Sequence, residues 1–311
     1  MQIRALFWGA LILLTSCAYF DHSPTDWNEF EHSALTASTV QLHYEEYGAG
    51  EPMVFLHGFG ASTYSWRFLV KPLATNRRLI LLDLKGFGQS PKPRDDKYSV
   101  YEQAHLVRQF IYEHKLRNVT LVGHSFGGGV ALVTALSLTE IAPERLKQLI
   151  LIDSVSYPQP MPCFIRILAT PVVGALVTSL VPVETQVRHV LALAYYDARQ
   201  ISEEAVVTYA KPLRMADAHY AMRETARQII PPDFAELAQK YRHISVPTLI
   251  LWGREDRIVS LANGEHLHHA IPNSRLVILD RCGHIPHEET PEATLHAIQA
   301  FLSSEQKMPQ Y

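Results

Sequence analysis

Ser125 is the side chain of this sequence best placed to act as a nucleophile. It lies at the centre of Gly123-His124-Ser125-Phe126-Gly127, between a β-branched apolar segment starting at Val119 and a small-residue helical pattern. A serine attacks well only if a tight strand-to-helix turn lifts its Oγ clear of neighbouring side chains, which is what G-x-S-x-G supplies in that setting. Gly123 and Gly127 flank it because a Cβ at either would meet the strand or the returning helix. Gly128 and Gly129 then let that helix approach the sheet. Such a serine needs a base for its proton and a carboxylate to orient the base. His284, in Cys282-Gly283-His284-Ile285-Pro286, is the candidate base. Asp256, in Trp252-Gly253-Arg254-Glu255-Asp256-Arg257, is the candidate acid, with Glu255 and Asp153 as the alternatives. His57, His124 and His287 read as structural or supporting. The chemistry is acyl transfer, whose developing oxyanion needs preorganised donors. The backbone N–H groups of Phe59, in Leu56-His57-Gly58-Phe59-Gly60, and of Phe126 are expected to supply them, with the Phe59 ring walling the pocket.

Each of these loops follows a short apolar run. The runs are Pro52 to Leu56, Arg78 to Leu82, Val119 to Gly123, Leu149 to Ile152, Thr248 to Trp252 and Leu276 to Leu279. Continuous apolar runs of this length mark strands covered on both faces, hence a parallel sheet between helices. Thr39 to Tyr47 alternates and predicts a further strand, with Gly48-Ala49-Gly50 as its turn. Ser99 to His114, Phe126 to Leu138, Leu261 to His269 and Pro291 to Ser303 are the helical candidates, the last with Pro at a first-turn position. In an open parallel sheet, loops at the carboxyl ends of the strands converge on one crevice.

Residues 158–232 break the alternation. They read as helices punctuated by prolines and rich in apolar residues, and Pro171 and Pro182 interrupt what would otherwise resemble a membrane segment. An inserted helical cap is expected there, between core segments 39–157 and 233–303, with a short tail at 304–311. Composition fits one large core: 311 residues, 47% hydrophobic, net charge −3. No basic run points to nucleic acid. The 16 histidines show no paired metal-ligand spacing, so neither metal nor cofactor is expected, and three cysteines make no disulfide framework. Cys163 and Cys282 are taken as free thiols.

At the N-terminus, Gln2 and Arg4 precede an apolar run from Ala5 to Leu14, a signal-peptide pattern over residues 1–16. Leu14-Thr15-Ser16-Cys17 resembles the bacterial lipoprotein box. That resemblance implies a lipidated Cys17, a tether over residues 17–38 and attachment to a membrane surface. Ala18, where inner-membrane retention would place Asp, leans towards the outer membrane facing the periplasm of a bacterial envelope.

Four motifs occur in order: His57-Gly58-Phe59-Gly60, Asp83-Leu84-Lys85-Gly86-Phe87-Gly88-Gln89-Ser90, Gly123-His124-Ser125-Phe126-Gly127 and Gly283-His284-Ile285-Pro286-His287-Glu288. With them, Thr39 to Ser303 resembles the α/β-hydrolase superfamily, whose chain order of nucleophile, acid and histidine is the order of Ser125, Asp256 and His284. The likeness is to the capped branch holding epoxide hydrolases, haloalkane dehalogenases, C–C bond hydrolases and small esterases or lipases. It implies an α/β-hydrolase fold and gives Asp83 and Ser90 a structural loop role. Epoxide hydrolases and dehalogenases use an aspartate nucleophile where this chain has Ser125, so Tyr195, Tyr196, Tyr209 and Tyr220 need activate no epoxide. The expectation is a serine hydrolase acting on an ester of an apolar substrate. A C–C bond hydrolase, a perhydrolase or lactonase, and a catalytically silent envelope binding protein stand as alternatives. The glycine-rich oxyanion stretch usual in C–C bond hydrolases differs from His57 to Ser62, and silent relatives usually lack a triad member.

Overall fold

The computed structural model describes residues 26–33 and 40–304. Residues 1–25, with Cys17 and the signal pattern, lie outside that range, as do most of the 304–311 tail and part of the 17–38 tether. The strands are β1 (Tyr44–Tyr47), β2 (Glu51–Leu56), β3 (Arg77–Leu82), β4 (Val119–His124), β5 (Leu146–Ile152), β6 (Thr248–Gly253) and β7 (Ser274–Leu279). They form one seven-stranded sheet in the order β1-β3-β2-β4-β5-β6-β7. Only the β1–β3 pairing is antiparallel. This is the α/β-hydrolase architecture that the motifs imply.

The apolar runs become strands because both faces of the sheet are covered. Val54, Leu56, Leu121, Leu149, Leu151 and Trp252 point into one layer. Their sequence neighbours Met53, Phe55, Val122, Ile150, Ile152 and Leu251 point into the other. That is the period of two expected of a strand, and each fully buried Leu, Ile or Phe adds roughly 1.5–3 kcal/mol.

Covering the sheet are α1 (Trp27–His32), α2 (Arg67–Leu73), α3 (Val100–Glu113) and α4 (Phe126–Ile141). Between β5 and β6 come α5 (Cys163–Ala169), α6 (Pro171–Leu180), α7 (Val183–Ala194), α8 (Glu203–Leu213), α9 (Ala218–Gln228) and α10 (Phe234–Lys240). α11 (Leu261–Ala270), α12 (Pro286–Glu289) and α13 (Pro291–Ser304) complete the chain. Helix starts follow local chemistry: Ser99 accepts from Glu102 N–H at the head of α3, and Ser202 accepts from Ala205 N–H at the head of α8. α5 and α6 meet at 106° at Thr170, just before Pro171. No single described helix is long and apolar enough to cross a membrane.

Two expectations are corrected. Residues 27–33, placed in the tether, fold onto the body: Phe30 is fully buried, 5.6 Å from the Tyr101 ring, and Trp27 N–H donates to Asp233 at 2.7 Å. Burial of two aromatic rings outweighs the cost of ordering this short helix. Of the strand expected over residues 39–47, Thr39 lies outside the described residues and β1 begins only at Tyr44, because the backbone just before it is used elsewhere. His43 N–H donates to Ser90 Oγ at 2.9 Å, and His43 O accepts from Asp83 N–H at 3.0 Å.

Candidate active site

Ser125 occupies the turn between β4 and α4 with φ 53° and ψ −118°. An L-residue rarely adopts this backbone, and it costs on the order of 1–3 kcal/mol where the surroundings enforce it. They do so here. Ser125 N–H donates to Ile152 O at 3.0 Å, and Ser125 O accepts from Gly128, Gly129 and Val155 N–H at 2.9, 3.2 and 3.0 Å. A Cβ at Gly127 would stand 2.3 Å from Leu56 O, and one at Gly128 would stand 2.0 Å from Ser154 Oγ. The glycines are therefore required by the closeness of α4 to β2 and to the chain after β5.

The parallel register brings the partners to the same edge. Leu56 lies opposite Gly123 and Gly253 opposite Leu279, so the loops after β2, β4, β6 and β7 emerge side by side. Across them, Ser125 Oγ lies 2.8 Å from His284 Nε2, and His284 Nδ1 lies 2.7 Å from Asp256 Oδ2. The other carboxylate oxygen of Asp256 accepts from Ile258 and Val259 N–H at 2.7 and 3.0 Å, which fixes its orientation. Side-chain exposure is 6% for His284 and 0% for Asp256. The candidate nucleophile, base and orienting acid thus stand in hydrogen-bonded sequence, shielded from water.

Of the alternative acids, Glu255 is engaged elsewhere, accepting from Cys282 N–H at 2.9 Å. Asp153 is closer to the centre. One of its oxygens accepts from Gly253 N–H at 2.9 Å, and the other is buried without a hydrogen-bond partner. Burial, then the neighbouring Asp256, pushes its carboxyl well above the ordinary aspartate range. Asp153, Asp256 and His284 offer donor atoms within 4.8 Å of one another, but both ring nitrogens of His284 are already taken up by Asp256 and Ser125.

His57, His124 and His287 are structural by their bonding. Leu84 N–H donates to His57 Nε2 at 3.0 Å, so the ring proton sits on Nδ1 and donates to Gly58 O at 2.8 Å. His124 Nε2 donates to His284 O at 2.7 Å, and His287 Nε2 meets Ser65 Oγ at 2.8 Å. Burial pulls all three below the ordinary histidine range and keeps them uncharged. Asp83 has the structural part expected of it, accepting from Thr63 and Gln89 N–H at 2.8 and 2.7 Å, while Ser90 donates to its carbonyl.

Above Ser125 lies a cavity of about 490 Å³, within the range of small-molecule sites. Gly58, Phe59 and Ala61 line it on the body side, and Leu168, Val177 and Ile229 on the side of the inserted helices. Among the described residues, no Asp, Glu, Lys or Arg lines it. The Phe59 ring packs 5.5 Å from Phe87 and 6.4 Å from Phe164, forming part of the wall. Phe126 is the first residue of α4, so its N–H has no intrahelical acceptor. Cys163 is exposed and Cys282 buried, both as free thiols.

One polar cluster at the cavity edge was not foreseen from sequence. Glu288 accepts from Ser65 at 3.0 Å, Tyr195 at 3.2 Å, Arg67 at 2.8 Å and, closely, Tyr209. Ser65 and Tyr209 line the cavity. The hydroxyls of Tyr195 and Tyr209 are spent on Glu288, and that of Tyr220 on Asp96. No local pattern marks such a cluster, since the partners of Glu288 lie 79 to 223 positions from it.

Residues 53–297 match the model of the alpha/beta hydrolase family. An uncharacterized hydrolase, YugF, of Bacillus subtilis (strain 168) is 31% identical over 271 residues, covering 86% of this chain and 96% of that protein. The 2-hydroxy-6-oxo-2,4-heptadienoate hydrolase of Pseudomonas putida is 29% identical over 277 residues, covering 87% and 96%. In structure, an esterase from Exiguobacterium antarcticum superposes with a TM-score of 0.72 at 23% identity, covering 85% of this chain and 96% of that one.

Proposed function

The chain belongs to the alpha/beta hydrolase family, and on that premise we propose that it is a serine hydrolase cleaving neutral esters with an apolar acyl part. The observation that carries this reading is the pairing of the Ser125–His284–Asp256 array with a cavity that, among the described residues, no aspartate, glutamate, lysine or arginine lines. His284 Nε2 takes the Ser125 proton as Oγ attacks the ester carbonyl, and Asp256 steadies the imidazolium through Nδ1–H. The Phe59 and Phe126 amides hold the oxyanion. His284 then protonates the departing alkoxide, and water, deprotonated by the same nitrogen, releases the acid from Ser125. A charged acyl chain would lose its hydration in this cavity without a counter-charge, whereas an apolar one gains roughly 25 cal/mol per Å² buried.

A second reading is hydrolysis of a C–C bond beside a carbonyl, favoured by the Pseudomonas putida relative, whose name gives a dienoate as its substrate. A dienoate carries a carboxylate, and among the described residues no lysine or arginine lines the cavity to meet it. That is why the ester reading stands first. Turnover of p-nitrophenyl esters of increasing acyl length, with Ser125→Ala alongside, tests the choice. Ester turnover that disappears in the variant supports esterase action. Turnover of a 2-hydroxy-6-oxo-dienoate, with none of the esters, would replace it by C–C cleavage.

A further inference from the structure

The segment joining α7 to α8 crosses directly over the loop that carries His284, and the two are joined through the backbone. His284 N–H donates to Ala194 O at 2.6 Å. A Cβ at Gly283 would stand 2.2 Å from that same carbonyl and 2.7 Å from Tyr196 N, so only glycine lets the strands of chain approach this closely. Glu289, 5% exposed, gathers three amides from both sides of the contact. Its carboxylate accepts from Gly283 N–H at 2.7 Å, Tyr196 N–H at 3.0 Å and Asp197 N–H at 2.8 Å.

The acid loop holds the same segment. Arg257, next to Asp256, donates to Ala192 O at 3.3 Å and, closely, to Tyr195 O. The last carbonyls of a helix have no intrahelical donors. Here, the end of α7 is completed by the amide of His284 and the guanidinium of Arg257. The body's catalytic loops therefore serve as the cap of an inserted helix, and the inserted helix as a rest for the loops.

We infer that Glu289 and Arg257 are positioning residues, which fix His284 and Asp256 by clamping both loops to the Ala192–Asp197 segment. The inference rests on the serine-hydrolase reading. Neither side chain touches the reacting atoms. Their effect is on the angle at which the imidazole meets Ser125 Oγ, and misplacement on the order of 1 Å can cost about 10²-fold in rate.

The test uses the full chain in two variants, Glu289→Gln and Arg257→Met. Arg257 is exposed, so its variant keeps the experiment informative if Glu289→Gln fails to fold. Two readouts are taken: the rate at which a fluorophosphonate labels Ser125, which needs His284 as base, and the affinity of the neutral apolar probe N-phenyl-1-naphthylamine for the cavity, which does not. The expected result is labelling slowed by about 10- to 100-fold with probe affinity held within about twofold. Labelling at the rate of the unaltered protein would overturn the inference, and so would a parallel loss of probe binding, which would mean general damage. Failure of the unaltered protein to label would instead sink the serine-hydrolase reading.

Discussion

The carboxyl of Asp153 lies beside that of Asp256 at the carboxyl edge of the sheet, and the two are held by different partners. Asp256 is oriented by two backbone amides and by His284. Asp153 is fully buried, bonded through one oxygen to Gly253, and kept protonated by burial and by its neighbour. A neighbouring carboxylate disfavours ionisation, so burial and Asp256 both favour the neutral form of Asp153.

Asp256→Asn removes the orienting charge and invites the wrong imidazole tautomer, so ester turnover should fall by about 10³-fold or more. Asp153→Asn replaces a neutral acid by a neutral amide of the same shape and should retain activity within about threefold of the parent. Steady-state kinetics of both variants decide it. The reverse order of effects would make Asp153 the working acid.

Ser125, Asp256 and His284 were legible because each sits just after a continuous apolar strand, where local sequence alone marks both the strand and the loop. The same holds for the strand cores and for α3, α4, α11 and α13. What was not legible depends on distant partners. Residues 27–33 show no period that marks a helix, and their burial is decided by Tyr101 and Asp233. Glu289 looks like one acidic residue of a short polar run, and only the fold brings Tyr196 and Asp197 to it. The late start of the β1 ladder follows likewise from bonds made by His43 to the 83–90 loop.

Stability should fall in mild acid. His124 and His287 are buried and uncharged, with folded-state pKa values well below the ordinary one of about 6.5. Below that pH the unfolded chain takes up their protons and the native state does not, at up to about 1.4 kcal/mol per pH unit for each. Asp153 works the other way. Its raised pKa makes its contribution largest in acid and lost as pH rises from about 3.9 towards the folded value. The two histidines together outweigh it, so urea unfolding should give a stability about 1 kcal/mol lower near pH 5 than near pH 7. His287→Asn should flatten that limb. Stability constant or rising towards pH 5 would contradict the neutral assignment.

The lipoprotein-like stretch Leu14-Thr15-Ser16-Cys17 supports a proposal about place: Cys17 carries acyl chains that hold the enzyme at a bacterial envelope. Expressed in a bacterial host, the parent chain should sediment with membranes and take up labelled palmitate, and Cys17→Ala should do neither. Identical fractionation and labelling of the two would remove the anchor.

The cavity itself can be sized by filling it. Val177, on α6, lines the wall contributed by the inserted helices, and the surrounding surface is apolar enough to accept a larger ring. Val177→Trp should leave acetate esters hydrolysed at nearly the parental rate, because their short acyl group stays beside Ser125. Longer acyl chains, which must occupy the space the indole now takes, should lose about tenfold or more in kcat/KM. That is the range that one or a few methylenes command in an apolar pocket. The length optimum of the p-nitrophenyl ester series should therefore move to shorter chains. An unchanged optimum would mean that the acyl group does not lie against α6, and an equal loss for acetate would mean that the indole disturbs the Ser125–His284 contact.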